Sequence, residues 1–228
     1  MKRYLVLLLS LCVVLPVVAQ EKEQQRLTDS YNVLKEILDI PDKGIPSDLL
    51  NKSECVIVVP SMKKAAFIVG ATYGRGVMMC RSGDNFRGPW SAPALFALEG
   101  ASFGLQAGGS GTDFVILVMN EKGARSVMSS KVKLGGDASI AAGPVGRTTT
   151  AETDVVMNAE MLSWSRAKGV FAGVSLSGST IRSDDAANKN LYGKELDAKQ
   201  IIVGKEVKAT PEGKKLEALM DKRSPKHT

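Results

Sequence analysis

The residues with the most chemical reach in this sequence are cations. Lys63, Lys64, Arg75, Arg81, Arg87, Lys131, Lys133, Arg147, Arg166, Lys168 and Arg182 fall mostly at the ends or turns of expected strands. Turns at one end of a sheet converge in space. Ammonium and guanidinium donors gathered there would make a single surface for phosphate or carboxylate oxygens. The same charges divided between both ends of a sheet would be no more than a solvated rim. The candidate anion-binding set is Lys63, Lys64, Arg75, Arg81, Lys131, Lys133, Arg147, Arg166 and Lys168.

Other chemistries have less to work with. The single histidine is His227, one residue from the end, which removes histidine acid–base catalysis and most zinc chemistry. Cys55 and Cys80 lie in apolar stretches without ligand spacing and read as small buried hydrophobes. The glycines at 70, 74 and 76 match neither nucleotide-binding pattern, and no helix follows them. The run Asp184-Asp185 with Asn188 and Asn190 lacks the glycine and terminal glutamate of a calcium loop and reads as a capped helix start. Asp113, Asp137 and Asp154 stand alone beside glycine or threonine turns, where turn capping is an alternative to a hydrolytic pair. No metal and no cofactor are expected.

The elements that must position the cations are short. With 22 glycines and only 5% aromatic residues, the chain favours closely approaching strands over bulky packing. Phe114–Met119 is an unbroken apolar run suited to a strand buried on both faces. Gly108, Gly109 and Gly111 before it predict a hairpin with Phe103–Ala107, around which the sheet is expected to organise. Cys55–Val59, Ala65–Gly70 and Val77–Arg81 read as a three-strand meander, turning at Ser61–Lys64 and Gly74–Gly76. Its outer strands would lie about 9.5 Å apart, beyond the roughly 7 Å that a disulfide spans. Two free thiols are therefore expected. Further strands are read at Ala94–Leu98, Lys131–Leu134, Ala138–Ala142, Glu160–Ser165, Val170–Leu176 and up to Arg182. Helices are read at Glu21–Ile40, whose apolar stripe of Leu27, Tyr31, Leu34 and Leu38 argues for core packing, and at Ile45–Lys52 and Glu121–Ser130. Others run to Tyr192, over Lys194–Val203 and over Pro211–Met220. The fold class is α+β: a curved or barrel-like antiparallel sheet of many short glycine-rich strands, with helices at the N- and C-terminal ends.

Residues 1–19 have the form of a signal peptide. Lys2 and Arg3 precede the apolar Leu5–Val18, and Val17-Val18-Ala19 supplies small residues before a mature start at Gln20. The bulky Leu9 and Leu11 argue against lipid attachment at Cys12. The full chain of 228 residues carries a net charge of +6. A basic exported protein meets anionic lipid headgroups before it meets nucleic acid.

The middle of the chain resembles the SYLF domain family. The resemblance rests on C-V-I-V-V-P-S-M-K-K-A-A-F-I-V-G, Y-G-R-G-V-M-M-C-R, G-P-W-S-A-P and G-L-Q-A-G. It continues through T-D-F-V-I-L-V-M-N, K-V-K-L-G-G-D-A-S-I-A-A-G-P-V-G-R, S-R-A-K-G-V-F-A-G-V-S-L-S-G-S and L-Y-G. The organisation then reads as signal peptide 1–19, amphipathic helix 20–44, SYLF-like domain 45–193, and helical extension with basic tail 194–228. The resemblance implies a non-enzymatic domain that binds anionic lipids, with a helper N-terminal helix, and that binds actin filaments in some eukaryotic members. With an export signal, the implied place is the periplasm, peripheral to a membrane. There the implied partners are phosphatidylglycerol, cardiolipin or lipid A, and neither actin nor nucleic acid. An envelope scaffolding module and a hydrolase using the isolated aspartates are the alternatives.

Overall fold

The runs C-V-I-V-V and V-M-M-C at positions 55–59 and 77–80 are apolar at every residue, as strands covered on both faces must be. In the computed structural model they belong to one long hairpin of β1 (Cys55–Ala66) and β2 (Val69–Cys80). The structure describes residues 2–40, 44–66, 69–83, 85–103, 111–129, 131–145, 158–167 and 169–225; within these, side chains are described except at 2–18, 64–66, 69–70 and 101–103.

The expected meander is therefore corrected. Gly74 and Gly76 do not turn the chain but run inside β2. A Cβ on Gly74 would stand 2.4 Å from the Val59 side chain, and one on Gly76 would stand 2.1 Å from the Val58 carbonyl. These glycines exist for close approach. Nor do Pro60 and Ser61 end the first strand. They occupy a register shift between Val59 and Met62, with Ser61 at φ 48°, which is the kind of irregularity that admits proline. The register places Cys55 directly opposite Cys80, and the two form a disulfide with Cα atoms 3.9 Å apart. The free-thiol expectation fails because it assigned the cysteines to strands that were not neighbours.

The remaining strands are β3 (Ala94–Phe103), β4 (Thr112–Val118), β5 (Val132–Lys133), β6 (Ile140–Ala142), β7 (Met161–Ala167), β8 (Val170–Gly173) and β9 (Thr180–Ser183). Their order is β5-β9-β3-β2-β1-β4-β7-β6, with β8 sharing the outer side of β7. The hairpin expected at 103–120 is a second correction: β3 and β4 do not pair, because the whole β1–β2 hairpin lies between them. Phe114 pairs instead with Val59 and Ser165; the glycines at 108 and 109 lie outside the described residues.

The sheet must curl, as expected. Laid flat, its end strands would be seven spacings, about 34 Å, apart. Residues 134–139 join β5 on one edge to β6 on the other, and six residues reach at most about 25 Å. Residues 174–179 cross the same gap from β8 to β9. The two crossings are laced together: Leu134 N donates to Ser179 O and Gly178 N to Leu134 O, both at 2.8 Å.

Each face of the sheet has its own core. The concave face carries Ile57, Met78, Phe96 and Ile116, together with Leu134, Ala138 and Leu176 from the crossings. Helices α3 (Glu121–Ser129) and α5 (Ala198–Ile202) complete it with Val127 and Ile201. The convex face carries Val56, Val77, Leu95, Leu117 and Trp164. It is covered by α1 (Lys2–Leu38), α2 (Ser47–Lys52), α4 (Asp185–Tyr192) and α6 (Pro211–Arg223). Leu27, Leu34 and Ile37 of α1 are fully buried, so this helix is a core element, as its stripe predicts. It begins earlier than the expected Glu21, at Lys2. Among the described residues no helix is long and apolar enough to cross a membrane.

Candidate functional site

Directly paired residues of an antiparallel sheet point to the same face. One continuous row of such pairs crosses the sheet from Lys133 to Thr180, Glu99, Tyr73 and Lys63. Two residues along the strands, a parallel row runs Arg182, Ala97, Arg75. The next pair in that direction is Val77–Leu95, which lies in the convex core beneath the helices. The convex face is thus apolar where helices cover it and charged in the strip beyond them. Lys63 and Lys133 stand four strand spacings apart in this strip, about 19 Å along the curve.

The strip assembles part of the expected set. Lys63, Lys131 and Lys133 are exposed, and Lys131 approaches Glu99 at 3.8 Å. Arg75 is also present, but its charge is spoken for. Its Nη2 donates to Glu23 Oε1 at 2.7 Å and its Nε to Asp184 Oδ2 at 3.3 Å. Arg26 Nη2 donates to the same Asp184 oxygen at 3.0 Å. Asp184 serves these arginines and does not cap α4 with its side chain. Arg182 belongs to the strip as well, donating to Glu99 Oε1 at 2.8 Å; that bond, against a smaller effect of burial, holds its pKa above the usual value.

Two expected residues are taken up by structural contacts. Arg81 is fully buried. Its Nη2 donates to the Ser224 carbonyl at 3.2 Å and hydroxyl at 2.7 Å, and its guanidinium lies 4.8 Å from the Trp90 ring centre. Trp90 Nε1 donates to the same Ser224 carbonyl. This cluster satisfies the carbonyl at the C-terminus of α6, where a cation is favoured. Burial lowers the pKa of Arg81, opposed by Glu54 and Asp221. Arg166 donates from Nε and Nη2 to Asp113 Oδ2 and pairs through Nη1 with Glu36, tying α1 to β4 and β7. In both, partners distant in sequence take up the guanidinium: a neutral carbonyl and hydroxyl for Arg81, carboxylates for Arg166. The Lys64 side chain, Arg147 and Lys168 lie outside the described residues; in register, Lys64 is opposite Thr72.

The isolated aspartates have structural duties. Asp113 Oδ1 accepts from Ser61 N at 2.9 Å, across the irregularity in β1. Asp137 Oδ2 accepts from Lys133 N at 2.8 Å and closes a turn. Asp154 lies outside the described residues.

Lys22 and Arg26 were missed as members of the site. They are four residues apart and so share one face of α1, a signal available in the sequence. What they face was not. A cavity of about 290 Å³ separates this stretch of helix from β1 and β2, lined by Lys22, Arg26, Ser61, Lys63, Tyr73 and Arg75 among others.

Comparison with known proteins places this architecture. A family model described as Ysc84, Las17-binding protein actin regulator, matches residues 99–223, from the middle of β3 to the end of α6. Protein YSC84 of Saccharomyces cerevisiae is 33% identical over 186 residues, 80% of this chain and 39% of that protein. The SH3 domain-containing YSC84-like protein 1 of Xenopus laevis is 30% identical over 213 residues, 90% of this chain and 62% of that protein. The chain belongs to the Ysc84 (SYLF) family. LAS seventeen-binding protein 3 of Saccharomyces cerevisiae is 35% identical over 167 residues. This chain spans between about a third and two thirds of the length of these curated relatives. The family match includes α4–α6, in keeping with the burial of Leu191, Ile201 and Leu216 in the two cores.

Proposed function

We propose that this member of the family is a non-enzymatic, exported module of a bacterial cell envelope that binds anionic phospholipid surfaces. The observation that carries the reading is the charged strip of the convex face, where the register row sets Lys63 and Lys133 and where exposed Lys131 approaches Glu99. The sheet curls under this strip and is packed on both faces, so the cations sit on a rigid support. Their ammonium groups are compact point charges suited to neutralising headgroup phosphates. Export is supported by the basic and apolar pattern of residues 1–19 and by the Cys55–Cys80 disulfide, a bond that persists in oxidising compartments.

The test is sedimentation with vesicles. Each lysine near an anionic surface adds about 1 kcal/mol. The triple variant Lys63→Gln, Lys131→Gln, Lys133→Gln should therefore bind phosphatidylglycerol vesicles about two orders of magnitude more weakly, with its melting temperature within about 2 °C of wild type. Phosphatidylcholine vesicles should bind poorly throughout. Equal binding of the two proteins to anionic vesicles would overturn the reading.

A second reading is an envelope protein-interaction module, favoured by relatives whose names specify a protein partner. Failure of the wild-type protein to bind any vesicle, with retention of a protein partner in pull-downs, would select it.

A further inference from the structure

We infer that the cavity between α1 and the β1–β2 hairpin is a seat for one phosphodiester group. The inference rests on the proposed binding of anionic lipid and adds to it the chemistry of the group that is read.

The charge balance selects the ligand. The walls carry Lys22, Arg26, Lys63 and Arg75. Glu23, almost completely buried, and Asp184 are paired with the two arginines. Lys22 and Lys63 have no ion pair among the described residues, and one further carboxylate, Asp29, lies on the wall, held by Gln25 Nε2 at 2.8 Å. The site is left with a single net positive charge. A phosphodiester brings one negative charge at neutral pH. A phosphomonoester brings up to two, and a polyphosphorylated headgroup more.

Hydrogen bonding and size agree with that assignment. Arg26 is 6% exposed, and its Nη1 is buried without a hydrogen-bond partner, while Nη2 is shared between Glu23 and Asp184. Nη1 itself is shut off from the water-sized space of the cavity, as is Glu23 Oε2, so Arg26 acts on an anion there by its charge and not as a direct donor. The Ser61 and Tyr73 hydroxyls and the Gln25 amide add donors and acceptors for alcohol groups flanking the phosphate. At about 290 Å³ the space is at the small end of ligand pockets. It suits a headgroup and leaves acyl chains outside. The irregularity in β1 shapes the floor, because it brings Ser61 and Lys63 to the helix across from Tyr73.

The experiment uses deacylated headgroups, which need no membrane. Glycerophosphoglycerol should bind the full chain saturably by NMR titration, shifting the Gln25 side-chain amide and the Arg26 Nε–H. The Lys22→Gln, Lys63→Gln variant should bind it at least tenfold more weakly, and the charge-matched control Lys194→Gln, Lys208→Gln, at exposed residues outside the cavity and the strip, should leave its affinity unchanged. Inorganic phosphate should bind at least tenfold more weakly than glycerophosphoglycerol. Equal or tighter phosphate binding would overturn the diester assignment, as would unchanged affinity in the Lys22, Lys63 variant. Loss of phosphatidylglycerol vesicle binding in that variant assigns the seat to a lipid headgroup. Loss for the soluble diester alone assigns it to a free phosphodiester. If vesicles bind wild type but glycerophosphoglycerol does not, the cavity inference falls and the lysine strip stands. If neither binds, the proposed function falls with it.

Discussion

The two ends of the β1–β2 hairpin make opposite use of the same kind of residue. At the end away from the turn, closed off by a disulfide, Cys55 is bonded to Cys80, and Arg81 is sealed under Trp90 and Ser224. Toward the turn, the end left open to solvent, Lys63 is exposed, Arg75 is half-covered, and a cavity separates the strands from α1. Both ends are basic in sequence. Helix α6 terminates over one end and fastens its cation as a structural cap, whereas Lys63 at the other faces α1 across a cavity and has no ion pair among the described residues. A cation at a strand end is thus not a binding residue by type. What decides is whether a carbonyl or carboxylate from elsewhere already occupies it.

The sharpest way to break this contrast is at the closed end. Replacing both cysteines, Cys55→Ala with Cys80→Ala, opens a loop whose ends are 25 residues apart. The chain-entropy model puts the loss at about 3.5 kcal/mol, read as a lower denaturation midpoint in urea. Thiol titration of the unfolded, unreduced wild type should find neither Cys55 nor Cys80 reactive. A reactive pair would return these residues to the free-thiol assignment.

Arg81→Ala comes next. It removes two charge-assisted hydrogen bonds and the stacking on Trp90, about 3 kcal/mol together. For a chain of this size the melting temperature should fall by about 6–12 °C. Binding of phosphatidylglycerol vesicles by the folded protein should not change. A binding loss without a stability loss would move Arg81 into the site and dissolve the comparison.

The smallest effect is at the open end and depends on pH. Burial raises the pKa of Glu23, against the pull of Arg75. Below about 4.5, its ordinary value, the carboxyl is protonated folded and unfolded alike. Above that the unfolded chain releases the proton first, so the folded state binds more protons and stability falls with rising pH until the raised pKa is passed. Glu23→Gln removes this slope. The melting temperature of wild type relative to the variant should therefore drop between pH 4.5 and 7, a difference within a few degrees. A relative rise would mean that ionised Glu23 is stabilised by its arginines more than it is penalised by burial.

Much of this protein was legible because it is encoded locally. The family resemblance, the α+β class and the curl followed from motifs, glycine content and the need to cover strand edges. The buried stripe of α1, Asn120 bonding to Gly123 N at the start of α3, and Gly193 at φ 69° after α4 each depend on only a few neighbouring residues. Strand partners are not local. A glycine looks the same in sequence whether it turns the chain or lets two backbones touch, and Gly74 and Gly76 do the second. Reading them as turns split one hairpin into three strands and parted the cysteines. The fate of each cation was decided at longer range still. Arg75 meets Asp184 across 109 residues, Arg81 meets Ser224 across 143, and Arg166 meets Asp113 across 53. Sequence determined that positive charge would gather at strand ends. Tertiary structure alone decided which cations were taken up, by carboxylates for Arg75 and Arg166 and by a neutral carbonyl and hydroxyl for Arg81, because such contacts depend on distance in space and are blind to distance along the chain.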